Sequence, residues 1–153
     1  MADKTSSTVM IEAPRGVIMA VIADFAAYPD WATGVRAAEP LAQAQDGRAE
    51  RVRFTIDAGI IRDSYVLSYV WEGDQAVRWQ LAERGASVAE MTGAYLLEEA
   101  ENATKVTYEL TVGLAIPMIG MLKRRAEKTI IDTALKGLRT RVRQAVGESG
   151  GSK

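Results

Sequence analysis

The 153-residue sequence contains neither cysteine nor histidine, and these two absences exclude most familiar enzyme chemistries. Without cysteine there is no disulfide, no thiolate nucleophile and no thiolate metal ligand. Without histidine there is no Ser-His-Asp or Cys-His triad, and the commonest zinc ligand and neutral-pH proton shuttle are missing. Any reaction would have to use Tyr, Asp, Glu, Lys, Arg, Ser, Thr or water, and we expect no metal site and no cofactor.

Long apolar runs and a strong net charge are also missing. The longest apolar stretch, residues 17–23, is too short to span a bilayer, and the N-terminal residues lack the basic-then-apolar pattern of a signal peptide. The net charge is −1, so the overall charge gives no reason to expect DNA binding. We expect a single cytoplasmic domain over residues 1–146, followed by a disordered Gly/Ser-containing tail, residues 147–153.

Hydrophobic periodicity predicts a strand, two short helices, six further strands and one long helix, which is an α+β order. Residues 8–12 alternate like a strand. Apolar side chains then recur at helical spacing after Pro14, a residue that suits the first turn of a helix. We predict that this helical segment ends at Tyr28-Pro29-Asp30, because a residue that precedes proline disfavours the helical conformation.

Turn signals such as Asp46-Gly47 divide the centre of the chain into strands, which must be antiparallel because parallel neighbours need long crossovers. The predicted strands span residues 35–44, 48–57, 61–72, 76–83, 87–99 and 105–113. Alternation within them places large and aromatic side chains on one face of the sheet. A helix about 10 Å wide covers seven strands only if the sheet curves around it. We therefore predict a curved seven-stranded antiparallel sheet wrapped around a long helix, residues 118–146, with a space between them that is a cavity or is filled by side chains.

Three segments carry a resemblance to a known superfamily. They are TVMIEAPRGVIMAVIADFAAYPDW from Thr8, YVLSYVW from Tyr65, and VTYELTVGLAIPMIGMLKRRAEKTI from Val106. Together with the element order, they resemble the helix-grip fold of the START/birch-pollen-allergen superfamily, and within it the polyketide cyclase/dehydrase-like (SRPBCC) proteins. The resemblance implies a cavity between the concave sheet face and the long helix, with its mouth near Tyr28 to Trp31. Members of this superfamily bind aromatic polyketides, quinones, sterols or acyl lipids.

The residues predicted to line this pocket share the inner sheet face, the Tyr28–Trp31 break or the start of the long helix. They are Tyr28, Trp31, Phe54, Tyr65, Leu67, Tyr69, Trp79, Met91, Tyr95, Met118, Met121 and Leu122. Trp31 is interpreted either as a gate to the pocket or as core filler. Aromatase/cyclase relatives imply a positioning arginine, but alternation directs Arg53 and Arg62 outward.

Asp63, Tyr65 and Tyr69 are the catalytic candidates, because they lie two residues apart on an otherwise apolar face. A carboxylate in an apolar pocket has a raised pKa and can act as a general acid or base. The alternatives are that Asp63 is solvated at the rim, and that the two phenols only orient a ligand.

The predicted long helix has a charge of +6, which leaves −7 for the rest of the chain. Its basic residues Lys123, Arg124, Arg125 and Lys128 could face an anionic membrane surface or a ribosome. The alternative is a solvated outer face.

Three functions are compatible with this sequence. The first is a carrier or sensor that binds a hydrophobic small molecule, such as a lipid, a polyketide or a quinone-like compound. The second is a polyketide aromatase/cyclase-type enzyme, and the third is an interaction module that uses the basic helix. We expect a monomer or a weak homodimer.

Overall fold

A seven-stranded antiparallel sheet and a long C-terminal helix make up most of the computed structural model. The structure describes residues 4–44, 46–57, 62–115 and 120–151, and within these it describes all side chains except those of 120–123 and 148–151. The strands are β1 Thr5–Ile11, β2 Val35–Gln43, β3 Ala49–Asp57, β4 Arg62–Glu72, β5 Ala76–Glu83, β6 Val88–Ala100 and β7 Ala103–Leu114. The helices are α1 Arg15–Ala23, α2 Tyr28–Trp31 and α3 Gly120–Gly151, with a single 3₁₀ turn, Phe25–Ala27, before α2.

The strands are arranged in the order β1-β7-β6-β5-β4-β3-β2, which confirms the predicted fold class. Strands β2 to β7 form a meander of neighbouring antiparallel pairs. The first strand pairs with the last, with Thr5 opposite Leu110 and Ile11 opposite Thr104. Helix α3 lies against β1 and β7, and it also contacts α1 and α2.

The predicted end of the first helical segment is wrong. Tyr28 has helical backbone angles, φ −52° and ψ −41°, and it begins the one-turn helix α2 with Pro29 as its second residue. The helical path breaks earlier, at Asp24, where ψ is 77°. Burial of the Tyr28 ring against Phe25, with ring centroids 5.0 Å apart, outweighs the local preference of a residue before proline.

The C-terminal helix also differs from its predicted range. Helix α3 continues beyond Val146 to Gly151, so most of the stretch predicted as a disordered tail is helical. Each residue added to a helix that already exists gains a hydrogen bond without a new nucleation cost. This explains how the Gly/Ser-containing end can extend α3.

A buried carboxylate fixes the N-terminal half of α3 on the sheet. Glu127 is 1% exposed. Its Oε1 accepts a hydrogen bond from the Thr5 hydroxyl at 2.7 Å, and its Oε2 accepts one from the Val112 backbone N–H at 2.7 Å. The two bonds connect one helical side chain to the strands at both ends of the sequence. They therefore define how α3 lies over the inner face of the sheet.

Candidate functional site

The inner face of the sheet carries a continuous cluster of aromatic rings. Phe25 lies at one end, with its ring centroid 5.0 Å from that of Tyr69 and 6.1 Å from that of Phe54. Trp79 joins Tyr69, at 5.7 Å, to the other end, where Tyr95 and Tyr108 are 4.7 Å apart. These side chains alternate with outward polar residues along β3 to β7, so the predicted inner face is confirmed. Their rings are buried, with exposed fractions below 10%.

The rings of this cluster pack against one another, but most of its phenol hydroxyls have no hydrogen-bond partner. The Tyr28 hydroxyl donates a hydrogen bond to the Ile22 carbonyl. The hydroxyls of the other tyrosines have no hydrogen-bond partner among the described residues; these are Tyr65, Tyr69, Tyr95 and Tyr108. Within the described part of the chain, the Trp31 indole nitrogen is the one side-chain polar atom that is both sealed from solvent and unpartnered. The four phenol oxygens are therefore not sealed. They open onto space that a water-sized probe reaches, although the rings are buried.

The phenols are held in their protonated form. Burial raises the pKa of Tyr69 well above its usual value, and interactions with the phenols of Tyr28, Tyr108, Tyr65 and Tyr95 raise it further. The pKa values of the other four tyrosines are raised as well, chiefly by burial. At neutral pH each hydroxyl is thus a neutral hydrogen-bond donor and acceptor.

Trp31 is located where α2 meets α3. Its ring centroid is 4.8 Å from that of Tyr28, and its backbone lies against Gly137 of α3. A Cβ atom at Gly137 would be only 2.5 Å from the Trp31 carbonyl oxygen. The glycine therefore allows a close helix–helix approach that any larger residue would prevent. This contact positions the half-buried Trp31 with its unpartnered N–H directed into protein.

Asp63 does not lie in an apolar pocket, and its predicted raised pKa is wrong. Its carboxylate accepts hydrogen bonds from the backbone N–H groups of Ser64, Ala86, Ser87 and Val88, at 2.7–3.1 Å. Burial alone would raise the pKa of this carboxyl, but the four donors together lower it below its usual value. Asp63 is thus an anchor for the β5–β6 connection, rather than a solvated rim residue or a group with the pKa of a neutral-pH base.

The remaining predicted residues fall into two groups. Phe54, Leu67 and Trp79 are buried in the core, and Met91 is half-buried against it. Met118 lies outside the described residues, and the side chains of Met121 and Leu122 do too. Their place in the pocket stays a prediction.

Three aromatic residues of this region were missing from the predicted pocket. Tyr108, Phe25 and Trp71 belong to the cluster. Alternation along β7 puts Tyr108 in line with Val106 and Leu110, so the signal for it was present in the sequence. Arg53 and Arg62 are exposed and point outward, as their positions in the alternation indicated.

Two surface grooves lie elsewhere on the molecule. One, of about 410 Å³, is on the sheet and is lined mainly by outward residues such as Ser68, Val70 and Gln80. The other, of about 570 Å³, is between β1 and α3 and is lined by Lys4, Thr5, Arg124, Arg125, Lys128 and Thr129. Of the predicted pocket residues, only Trp79 borders either groove. Neither groove is the predicted inner site.

Two further properties bear on the kind of site this is. The described residues contain no group of three or more carboxylates that could hold a metal ion. They also contain no helix that is long and apolar enough to cross a membrane.

A family model described as polyketide cyclase / dehydrase and lipid transport matches residues 11–139. The chain belongs to this family. No curated protein matches it significantly. Several solved structures share the sheet-and-helix arrangement described above.

A START superfamily protein from Mycobacterium smegmatis superimposes with a TM-score of 0.85 at 20% identity, covering 93% of this chain and 98% of the other. The Zhui aromatase/cyclase from Streptomyces sp. R1128 superimposes with a TM-score of 0.74 at 15% identity, covering 95% and 96%. Ara h 8.0201 gives 0.70 at 10% identity, covering 94% and 99%. At these identities the likeness concerns the fold, which is the birch-pollen-allergen-like helix-grip fold.

Proposed function

We propose that this protein binds a hydrophobic small molecule between the inner sheet face and α3, and acts in the cytoplasm as a carrier or sensor. The observation that supports this most directly is the set of unpartnered hydroxyls of Tyr65, Tyr69, Tyr95 and Tyr108 on a face of buried rings. Each of these hydroxyls can both donate and accept a hydrogen bond, and no described group of the protein uses that capacity. A bound molecule carrying oxygen atoms would satisfy these groups.

The charges around this face favour a neutral ligand. Glu127 is the only charged residue among the described buried side chains, and its oxygens already accept two hydrogen bonds. Among the described residues there is thus no buried cation that could compensate a ligand carboxylate. The unpartnered phenol hydroxyls can donate, so a ligand acceptor such as a carbonyl oxygen would pair with them. A polyketide, a quinone-like compound or a neutral lipid meets both requirements.

Native mass spectrometry of the protein purified from its own host tests the proposal directly. We expect a retained small molecule that is released by organic solvent. A crystal structure in which side chains fill the space between sheet and α3, with no room for a benzene-sized ligand, would refute it.

An aromatase/cyclase activity is the second candidate function, because protonated phenols on a concave face could stabilise an enolate oxygen. Tyr69→Phe keeps the ring and deletes only the hydroxyl, so it separates the two functions. For a carrier, affinity for an oxygen-bearing ligand should fall about threefold to tenfold. For an enzyme, turnover of a poly-β-ketone should fall about 10²–10⁴-fold with little change in binding. We expect the carrier pattern, measured by tryptophan fluorescence titration.

A further inference from the structure

The cations of α3 are almost all unpaired, unlike those of the rest of the molecule. Outside α3, eight of the ten described Lys and Arg side chains form ion pairs: Lys4, Arg15, Arg36, Arg48, Arg51, Arg62, Arg78 and Lys105. Of the seven cations of α3 whose side chains are described, only Lys128 does so, with Asp132. Most positive charges outside α3 are therefore neutralised by a nearby carboxylate, whereas most of the described positive charges of α3 are not.

Most of these cations share one side of the helix. Arg125, Lys128, Lys136, Arg139 and Arg143 are separated by three, four or eight residues, the spacing that aligns side chains on one helical face. We call these five residues the basic stripe. It is about 27 Å long, and Asp132 is the only acidic residue within it. The stripe lies beside β1, since Lys128 also donates a hydrogen bond to the Ser7 hydroxyl at 2.7 Å.

The groove between β1 and α3 adjoins the N-terminal end of the stripe. Lys4 and Arg124 join Arg125 and Lys128 around its volume of about 570 Å³. Four cations therefore line this groove, of which Lys4 and Lys128 are paired, with Glu109 and Asp132. At the other end, Val146, which is 41% exposed, continues the stripe by one turn beyond Arg143.

From this arrangement we propose that the basic stripe and its groove dock the protein on an anionic lipid bilayer. A row of five cations, of which only Lys128 has an ion-pair partner among the described residues, complements a flat surface of phosphate groups. This inference goes beyond the proposed ligand binding and does not depend on it. If both hold, α3 would lie on the bilayer from which a hydrophobic ligand is exchanged.

A bilayer suits the stripe better than single-stranded nucleic acid does. Single-strand binding normally combines cations with exposed aromatic rings on which bases stack. All ten aromatic side chains of the chain are described, and each is buried or half-buried. The exposed apolar residue at the end of the stripe is the aliphatic Val146, which can contact acyl chains but offers no surface for stacking.

Vesicle co-sedimentation of the full chain tests the proposal. The probes are phosphatidylcholine vesicles and vesicles in which one third of the lipid is phosphatidylglycerol. We expect binding only to the anionic vesicles, with a strong decrease at high salt. The R125E/R139E variant should bind them about a hundredfold or more weakly, since each cation near an anionic surface contributes substantially to affinity. The control R53E/R84E makes the same change in net charge at unpaired cations away from α3 and should bind like wild type.

Each other outcome would overturn the proposal. It fails if wild type ignores anionic vesicles, or if both double variants lose binding equally, which would indicate a general charge effect. It also fails if a structured RNA is bound in preference to the vesicles. Ligand binding by R125E/R139E is measured in parallel, because loss of vesicle binding alone leaves the proposed function intact. A wild type that binds anionic vesicles but retains no small molecule in native mass spectrometry would instead refute only the proposed carrier function.

Discussion

The polar groups that join the elements of this protein differ from those on its inner face. At the junctions, Asp63 accepts four backbone N–H groups and Glu127 accepts the Thr5 hydroxyl and the Val112 N–H. On the inner face, the hydroxyls of four phenols lack partners within the described chain. We call the first group the anchors and the second the open groups. The Trp31 indole N–H also lacks a partner among the described residues, but it is sealed from solvent where α2 meets α3.

This difference separates stability from function. Removing an anchor leaves buried donors unsatisfied, so it should lower the free energy of unfolding. Removing an open group deletes no contact within the protein, so it should leave stability nearly unchanged and alter ligand binding instead. The following substitutions test that division, in order of decreasing expected effect.

Substitution of the Glu127 anchor should have the largest effect. Glu127→Ala removes a carboxylate that is 1% exposed and leaves the Thr5 and Val112 donors without acceptors. We expect the free energy of unfolding to fall by about 3 kcal/mol in urea denaturation. Asp132→Ala on the same helix is the control, because its ion pair with Lys128 is exposed and should be worth less than about 1 kcal/mol. Equal effects of the two changes would contradict the anchor role.

Asp63→Asn should cost about 2 kcal/mol at neutral pH, because an amide cannot accept at both terminal atoms. The pKa of Asp63 is lowered in the folded protein, so its charged form stabilises the fold. That stability is fully present above the usual value of 3.8 and is lost as pH falls through the lowered pKa. The difference between wild type and variant should therefore shrink below about pH 4. A difference that stays constant down to pH 2 would contradict this.

Two half-buried tryptophans provide the smallest and most closely matched comparison. The Trp71 N–H donates to the Ala49 carbonyl at 2.7 Å, whereas the Trp31 N–H has no partner. Trp71→Phe should cost about 1 kcal/mol more stability than Trp31→Phe in thermal or urea unfolding. Trp31→Phe should instead weaken binding of an oxygen-bearing ligand about threefold. The opposite pattern would mean that Trp31 is core filler.

The fold was predictable because its signals are local. The alternation that places Tyr65, Leu67 and Tyr69 on one face needs only the sequence of β4. Short turns forced the antiparallel meander, and the apolar spacing of α3 indicated a helix on the sheet. The length of these patterns, rather than any single residue, identified the elements.

The roles of individual polar residues were not predictable, because they depend on distant partners. The donors to Asp63 come from residues 86–88 as well as from its neighbour, and Thr5 reaches Glu127 across 122 positions. Alternation along β4 could not show that a returning loop would supply hydrogen bonds to Asp63. The same applies to Tyr28, whose helical backbone is fixed by ring packing rather than by its neighbour Pro29.

The pairing of the first strand with the last has a consequence for how the chain is made. β1 is synthesised before β2 to β7, and its partner β7 begins about 100 residues later. At about 5–20 residues per second, β1 waits roughly 5–20 seconds before that partner is synthesised. The hairpins of the meander can form during this interval, whereas the closing strand pair and the helix that packs on it cannot. Completion of the sheet therefore has to wait for β7, and contacts of such sequence separation make folding slow.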